Sequence, residues 1–170
     1  GVPWARRGAR NDEYIEAMRT LWSGPEVEFH GEFVDFGKVT CSPRPVQPTI
    51  PILVGGDSDV AIRRAARLAD GYFPGEGDVD RLAGLIKRVR HAAEDAGRDP
   101  DSIEINAMFS TQMTDPAAGV EKFIELGVGR IMVPAFFFMG DGGLDRMDQF
   151  AETAIGAAGC LLAYAKDTQR

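Results

Sequence analysis

The sequence predicts an α/β fold built on a parallel sheet, and three observations carry that reading. Four strand-like stretches, Ile52–Val54, Gly71–Phe73, Ile103–Phe109 and Arg130–Ala135, each run into a stretch with helical periodicity. Parallel strands need a crossover between them, and a helix after every strand supplies it. Ile52-Leu53-Val54 is apolar without alternation, the pattern of a strand buried on both faces. Finally, 170 residues hold one domain with a sizeable core. A closed (β/α)8 barrel takes eight such units and typically ~250 residues. The chain is therefore either about half of a TIM barrel or a doubly wound open sheet.

The elements follow in order. Tyr14, Ile15, Met18, Leu21 and Trp22 recur at helical spacing until Ser23-Gly24-Pro25, which predicts a helix over Arg7–Trp22 with Tyr14, Met18 and Trp22 on its core face. Val27-Glu28-Phe29 and Phe33–Phe36, joined by His30-Gly31-Glu32, read as a hairpin. Ser42–Pro48 is a Pro-rich extended connector. Residues 23–50 thus form a hairpin and connector inside one partial barrel domain spanning 1–170. Ile62, Ala65, Ala66 and Ala69 mark the helix after the first strand, and Leu82, Leu85, Ile86 and Val89 the next. Gly97 stops the latter. Asp115-Pro116 starts a third helix with Val120, Phe123 and Ile124 on one face, and Gly127 closes it. A Phe136-Phe137-Phe138 and Gly-rich loop leads to a long last helix through Leu162.

Composition narrows the function. A net charge of −7 with nineteen scattered basic residues excludes nucleic acid or an anionic membrane as partner, because both need clustered Lys and Arg. No apolar run approaches the ~20 residues of a membrane span. Arg6, Arg7 and Arg10 follow Gly1-Val2-Pro3-Trp4 at once, unlike a secretory signal, and the start without Met suits a trimmed or incomplete polypeptide. Cys41 and Cys160 lie far apart with no CxxC, so a reduced, cytoplasmic pair is expected and no metal site.

Two glycine-rich segments invite a ligand. In Pro51–Ser58, a buried strand runs into Gly55-Gly56 and then Asp57-Ser58 at a helix start. Glycines let backbone approach a phosphate, first-turn amides point at it, and Ser58 can donate its hydroxyl. The same residues also read as a tight turn with Asp57 or Ser58 capping the helix, and the pattern leaves both open. In Gly140-Asp141-Gly142-Gly143 the Asp141 charge would repel phosphate, so a flexible loop is expected. The acidic run Glu76–Asp80 lacks calcium-loop spacing, and Asp78 serves as a plain helix cap. His30 at the hairpin tip and His91 on a charged helix face are expected in solvent. GxSxG, GxGxxG and the P-loop are absent, and no catalytic constellation is visible.

Taken in order, Arg7-Gly8-Ala9-Arg10, Asp12-Glu13-Tyr14, Leu21-Trp22, Phe29-His30-Gly31-Glu32-Phe33, Arg44-Pro45, Pro51–Gly56, Arg63-Arg64-Ala65-Ala66 and Ala69–Phe73 form a motif series. At these spacings the series resembles the luciferase-like monooxygenase superfamily, strongly to Phe73 and weakly beyond. The nearest branch uses the deazaflavin coenzyme F-420. The resemblance implies a TIM barrel with flavin or deazaflavin at the C-terminal ends of its strands, makes Ile52–Val54 strand five, and so makes this chain the C-terminal half of that barrel. It maps the cofactor phosphate onto Gly55, Gly56, Asp57 and Ser58. Asp57 departs from the uncharged residue common in relatives, so its carboxylate must turn away from phosphate.

The family's first four strands would precede Gly1 and carry the ring pocket and the acid–base groups, so no catalytic residue is assigned in this chain. The expected function is hydride transfer between F-420, or FMN, and a small organic substrate, with the isolated chain inactive. The rival expectations are a non-catalytic half barrel that dimerises and binds a phosphorylated ligand, and an open flavodoxin-like binding module. Four strands apolar on both faces should need covering by the missing half or by a second copy, met at Ile52–Val54 and Ile131–Val133.

Overall fold

The computed structural model describes residues 4–47, 49–109 and 115–167, with side chains through residue 156. The chain begins with α1 (Arg7–Ser23) and an antiparallel hairpin, β1 (Val27–His30) and β2 (Asp35–Val39). Four strand–helix units follow: β3 (Leu53–Gly55) and α2 (Asp59–Leu68), β4 (Gly71–Phe73) and α3 (Val79–Asp95), β5 (Glu104–Met108) and α4 (Pro116–Glu125), β6 (Val128–Met132) and α5 (Gly143–Asp167). The strands form one parallel sheet in the order β3-β4-β5-β6, so each unit lands beside its predecessor. Sequential order without reversal is barrel topology, whereas a doubly wound sheet reverses direction at a switch point.

Capping chemistry sets the helix starts. Ser58, Asp78 and Asp115 each accept a hydrogen bond from a first-turn amide of α2, α3 and α4. Gly97 and Gly127, at φ 70° and 77°, turn the chain out of α3 and α4. Arg98 closes the far end of α2 by donating to the Ala66 and Ala69 carbonyls, both at 2.9 Å. Asp70 ties α1 to the sheet, accepting from Arg19 and from the Ile52 amide, each at 2.8 Å.

The core fills one side of the sheet. Val54, Tyr72, Ile105 and Ala107 share a face across the ladder and are all buried, against Ile62, Ala65 and Ala66 of α2, Leu82, Ile86 and Val89 of α3, and Phe123 of α4. At the β6 end, edge-on contacts of Phe109, Phe123, Phe137 and Phe150 extend it.

The opposite face corrects the expectation of a strand buried on both sides. In β3 only Val54 is buried, and Leu53 is 43% exposed, because no helix among the described residues packs there. That face is not uniformly apolar either. Gly71, Glu104, Asn106 and Arg130 alternate onto it, and Arg130 meets Glu104 at 3.2 Å. Three further expectations shift. Tyr14 and Met18 are over a third exposed, and α1 instead buries Ile15 and Ala17. The hairpin turn is longer than expected, with His30 paired to Asp35 across it. The last strand ends at Met132, before Pro134, and Ala135–Phe138 coil into a 3-10 turn.

Candidate functional site

Gly55 is the last residue of β3, and Gly56, Asp57 and Ser58 carry the chain into α2. They therefore sit at the C-terminal end of a parallel strand and at a helix N-terminus, where α/β folds bind ligands. All four are at least partly exposed. Gly56 has φ 106°, a conformation that favours glycine. A Cβ on Gly55 would stand 3.0 Å from the Phe73 carbonyl oxygen, and one on Gly56 3.2 Å from the Ala61 Cβ. The two glycines thus let the turn pack closely against β4 and the first turn of α2, where side chains would collide.

Ser58 fulfils the capping reading, since its Oγ accepts from the Ala61 amide at 3.3 Å and its carbonyl from the Ile62 amide at 2.9 Å. Capping does not exclude the anion reading. The hydroxyl proton remains for a ligand, and the amides of Asp59 and Val60 precede the first intrahelical bond. Beside the loop lies an open groove of about 630 Å³ between the N-terminal ends of α1 and α2, lined by Arg7, Gly8, Asn11, Ser58, Val60, Ala61 and Arg64.

Charges around the groove are unevenly committed. Arg64 is mostly buried and bound to Asp12 and to the Gly8 carbonyl. Arg7 stacks over Trp4 at 4.1 Å and has no carboxylate partner among the described residues. Sequence reasoning missed Arg7 and Asn11, because only the fold brings α1 beside the loop.

Two side chains from below the loop were also missed. Tyr72, fully buried on β4, donates its hydroxyl to the Gly56 carbonyl at 2.8 Å. Burial pushes the phenol up to about 12; the Arg88 charge works against that rise and Asp57 adds to it. Arg88 of α3 reaches the Asp57 carbonyl at 3.4 Å and the Asp59 carboxylate at 2.5 Å.

The remaining candidates separate from this site. Asp78 caps α3 as expected, accepting from the Arg81 amide at 2.9 Å. Gly140–Gly143 forms a held turn and not a loose loop, because Arg146 donates to the Asp141 and Met139 carbonyls at 2.8 and 2.6 Å. His30 lies on the hairpin against Asp35, which raises its pKa above the usual imidazole value through their hydrogen bond. His91 lies exposed on α3 near Glu94 and Asp95. Cys41 is a free thiol, and the side chain of Cys160 lies outside the described residues.

Comparison with known proteins identifies the family of the chain. An uncharacterized protein of Mycobacterium tuberculosis is 47% identical over 133 residues, 78% of this chain and 44% of its own length. An F-420-dependent glucose-6-phosphate dehydrogenase of Nakamurella multipartita is 34% identical over 109 residues, 61% of this chain and 32% of its own. An FMNH(2)-dependent dimethylsulfone monooxygenase of Pseudomonas putida is 31% identical over 122 residues, 69% of this chain and 33% of its own. The fold matches an F-420-dependent secondary alcohol dehydrogenase solved with an F-420–acetone adduct, with TM-score 0.69 and 16% identity over 91% of this chain and 64% of that one. The chain spans about half the length of the curated relatives it matches. The family model of the luciferase-like monooxygenases matches residues 1–143, and the chain belongs to that family.

Proposed function

We propose that this chain is the phosphate-binding half of a luciferase-like oxidoreductase that uses F-420, or alternatively FMN, in hydride exchange with a small organic substrate. The observation that carries the reading is the Gly55–Ser58 turn at the C-terminal end of β3, beside a groove lined by Arg7, which has no carboxylate partner among the described residues. When bound, the cofactor ring supplies the hydride chemistry, and this chain anchors the phosphate tail and orients it. Gly55 and Gly56 give close backbone approach, Ser58 a hydroxyl, and α2 its first-turn amides. Arg88 holds the Asp57 backbone carbonyl and the Asp59 carboxylate, so the acidic side chain paired at this helix start is that of Asp59. Both named-cofactor relatives favour this class, one F-420-dependent and one FMNH(2)-dependent. The free Cys41 suits a reduced cytoplasmic setting.

Fluorescence titration of the chain with F-420, FMN and riboflavin tests the reading. F-420 and FMN should bind at least about tenfold more tightly than riboflavin, which lacks the phosphate. Equal affinities for FMN and riboflavin would sink it. No turnover is expected from the chain alone, because neither histidine is near the loop and no acid–base pair faces the groove among the described residues.

A second reading concerns assembly. Among the described residues β3 and β6 are the edges of the sheet, and Leu53 and Met132 are over 40% exposed, which favours covering by the rest of a barrel or by a second copy. Sedimentation at high concentration should show a dimer or larger species, and a stable monomer would refute it.

A further inference from the structure

We infer that Tyr72, assisted by Arg88, is a positioning residue that aims the amides of the Gly55–Ser58 loop at an anion; the inference rests on the phosphate-loop reading above. The argument is one of peptide geometry. In a trans peptide the carbonyl and the following amide point in opposite directions across a rigid plane. The only cis bond among the described residues is Ser42–Pro43, so the Gly56–Asp57 and Asp57–Ser58 peptides are trans. The Tyr72 hydroxyl draws the Gly56 carbonyl down toward the core at 2.8 Å. That same plane then turns the Asp57 N–H the opposite way, away from the core. Arg88 repeats the effect one peptide later by holding the Asp57 carbonyl at 3.4 Å, which orients the Ser58 N–H.

The anchor is stiff. Tyr72 is 0% exposed within the core cluster, so its hydroxyl cannot wander. Its phenol, displaced to about 12 by burial, remains a donor through the whole working pH range. Packing alone would be served equally by phenylalanine. The hydroxyl is the part that speaks to the loop, and the loop's left-handed Gly56 needs such a strut, since glycine by itself leaves the peptide free to flip.

The experiment compares FMN with riboflavin in wild type and in Tyr72→Phe, because the ratio of the two affinities isolates the phosphate. Tyr72→Phe should shrink that ratio by roughly three- to tenfold, the worth of one hydrogen bond, with riboflavin affinity unchanged. A purely packing role would shift both ligands together or neither. A folded Tyr72→Phe protein with the wild-type ratio overturns the proposal. Should that variant fail to fold, Arg88→Met carries the test, as Arg88 lies on the surface. It should reduce the ratio roughly twofold to fivefold, and an unchanged ratio again overturns the proposal. A wild-type chain that binds FMN and riboflavin alike sinks the phosphate-loop reading itself. A discriminating wild type beside equally discriminating variants sinks only the positioning role.

Discussion

Two glycine-rich loops follow strands of the same sheet, and they differ in which backbone atoms the protein uses. At Gly55–Ser58 the carbonyls of Gly56 and Asp57 are taken from below by Tyr72 and Arg88, and the cation beside the loop, Arg7, has no carboxylate partner among the described residues. At Gly140–Gly143 the carbonyls of Met139 and Asp141 are taken by Arg146. There the Gly143 amide bonds back to the Gly140 carbonyl at 3.1 Å, and the Arg146 amide to the Gly142 carbonyl at 3.0 Å. The first loop keeps donors and a charge available for a ligand, whereas the second consumes both internally. Glycine content therefore does not distinguish an anion site from a tight turn; the disposition of partners does.

Four substitutions or conditions sharpen that contrast. Gly143→Ala should be the most damaging to the fold, because its Cβ would fall 1.9 Å from the Phe138 carbonyl oxygen. A loss of about 3 kcal/mol in chemical denaturation is expected, with FMN affinity of the folded fraction unchanged. Gly56→Val should cost about 2 kcal/mol, since φ 106° is strained for a β-branched residue, and it should also abolish phosphate-dependent binding. If it binds FMN normally, the loop is only a turn. Arg7→Met should leave the fold intact and weaken FMN roughly tenfold. It should also flatten the salt dependence of binding, while Arg146→Met changes neither.

The smallest effect belongs to the hairpin. The His30 pKa is raised by Asp35, so the protonated pair helps the folded state fully below the unfolded imidazole value. That help disappears as pH rises through the folded value. NMR titration of His30 should show an upward-displaced midpoint that Asp35→Asn returns to the ordinary range, with cofactor affinity untouched.

Much of this was legible from the chain. Apolar spacing such as Leu82, Leu85, Ile86 and Val89 names a helix face because packing on a sheet demands it, and all four are buried. Asp115-Pro116 and Gly127 mark their helix ends by local backbone chemistry alone. Gly55–Ser58 stood out because cap and glycines adjoin one strand. What stayed hidden depends on distant partners. Arg7 and Asn11 reach the groove only because α1 packs beside α2, and nothing in Gly71-Tyr72-Phe73 announces that its hydroxyl meets Gly56. Tyr14 and Met18 misled because periodicity shows that a face is apolar, not that something covers it.

The polar middle of the open sheet face has a consequence for assembly. Asn106 is already buried and donates to the Glu104 carbonyl at 3.3 Å, whereas the exposed Glu104 and Arg130 side chains satisfy each other in water. A greasy surface pressed against them would strip their hydration and return nothing, at a cost of several kcal/mol per ion. Only a covering that brings matched donors and acceptors gains from contact. The face thus acts as a filter, turning away casual hydrophobic neighbours while remaining open to a complementary one.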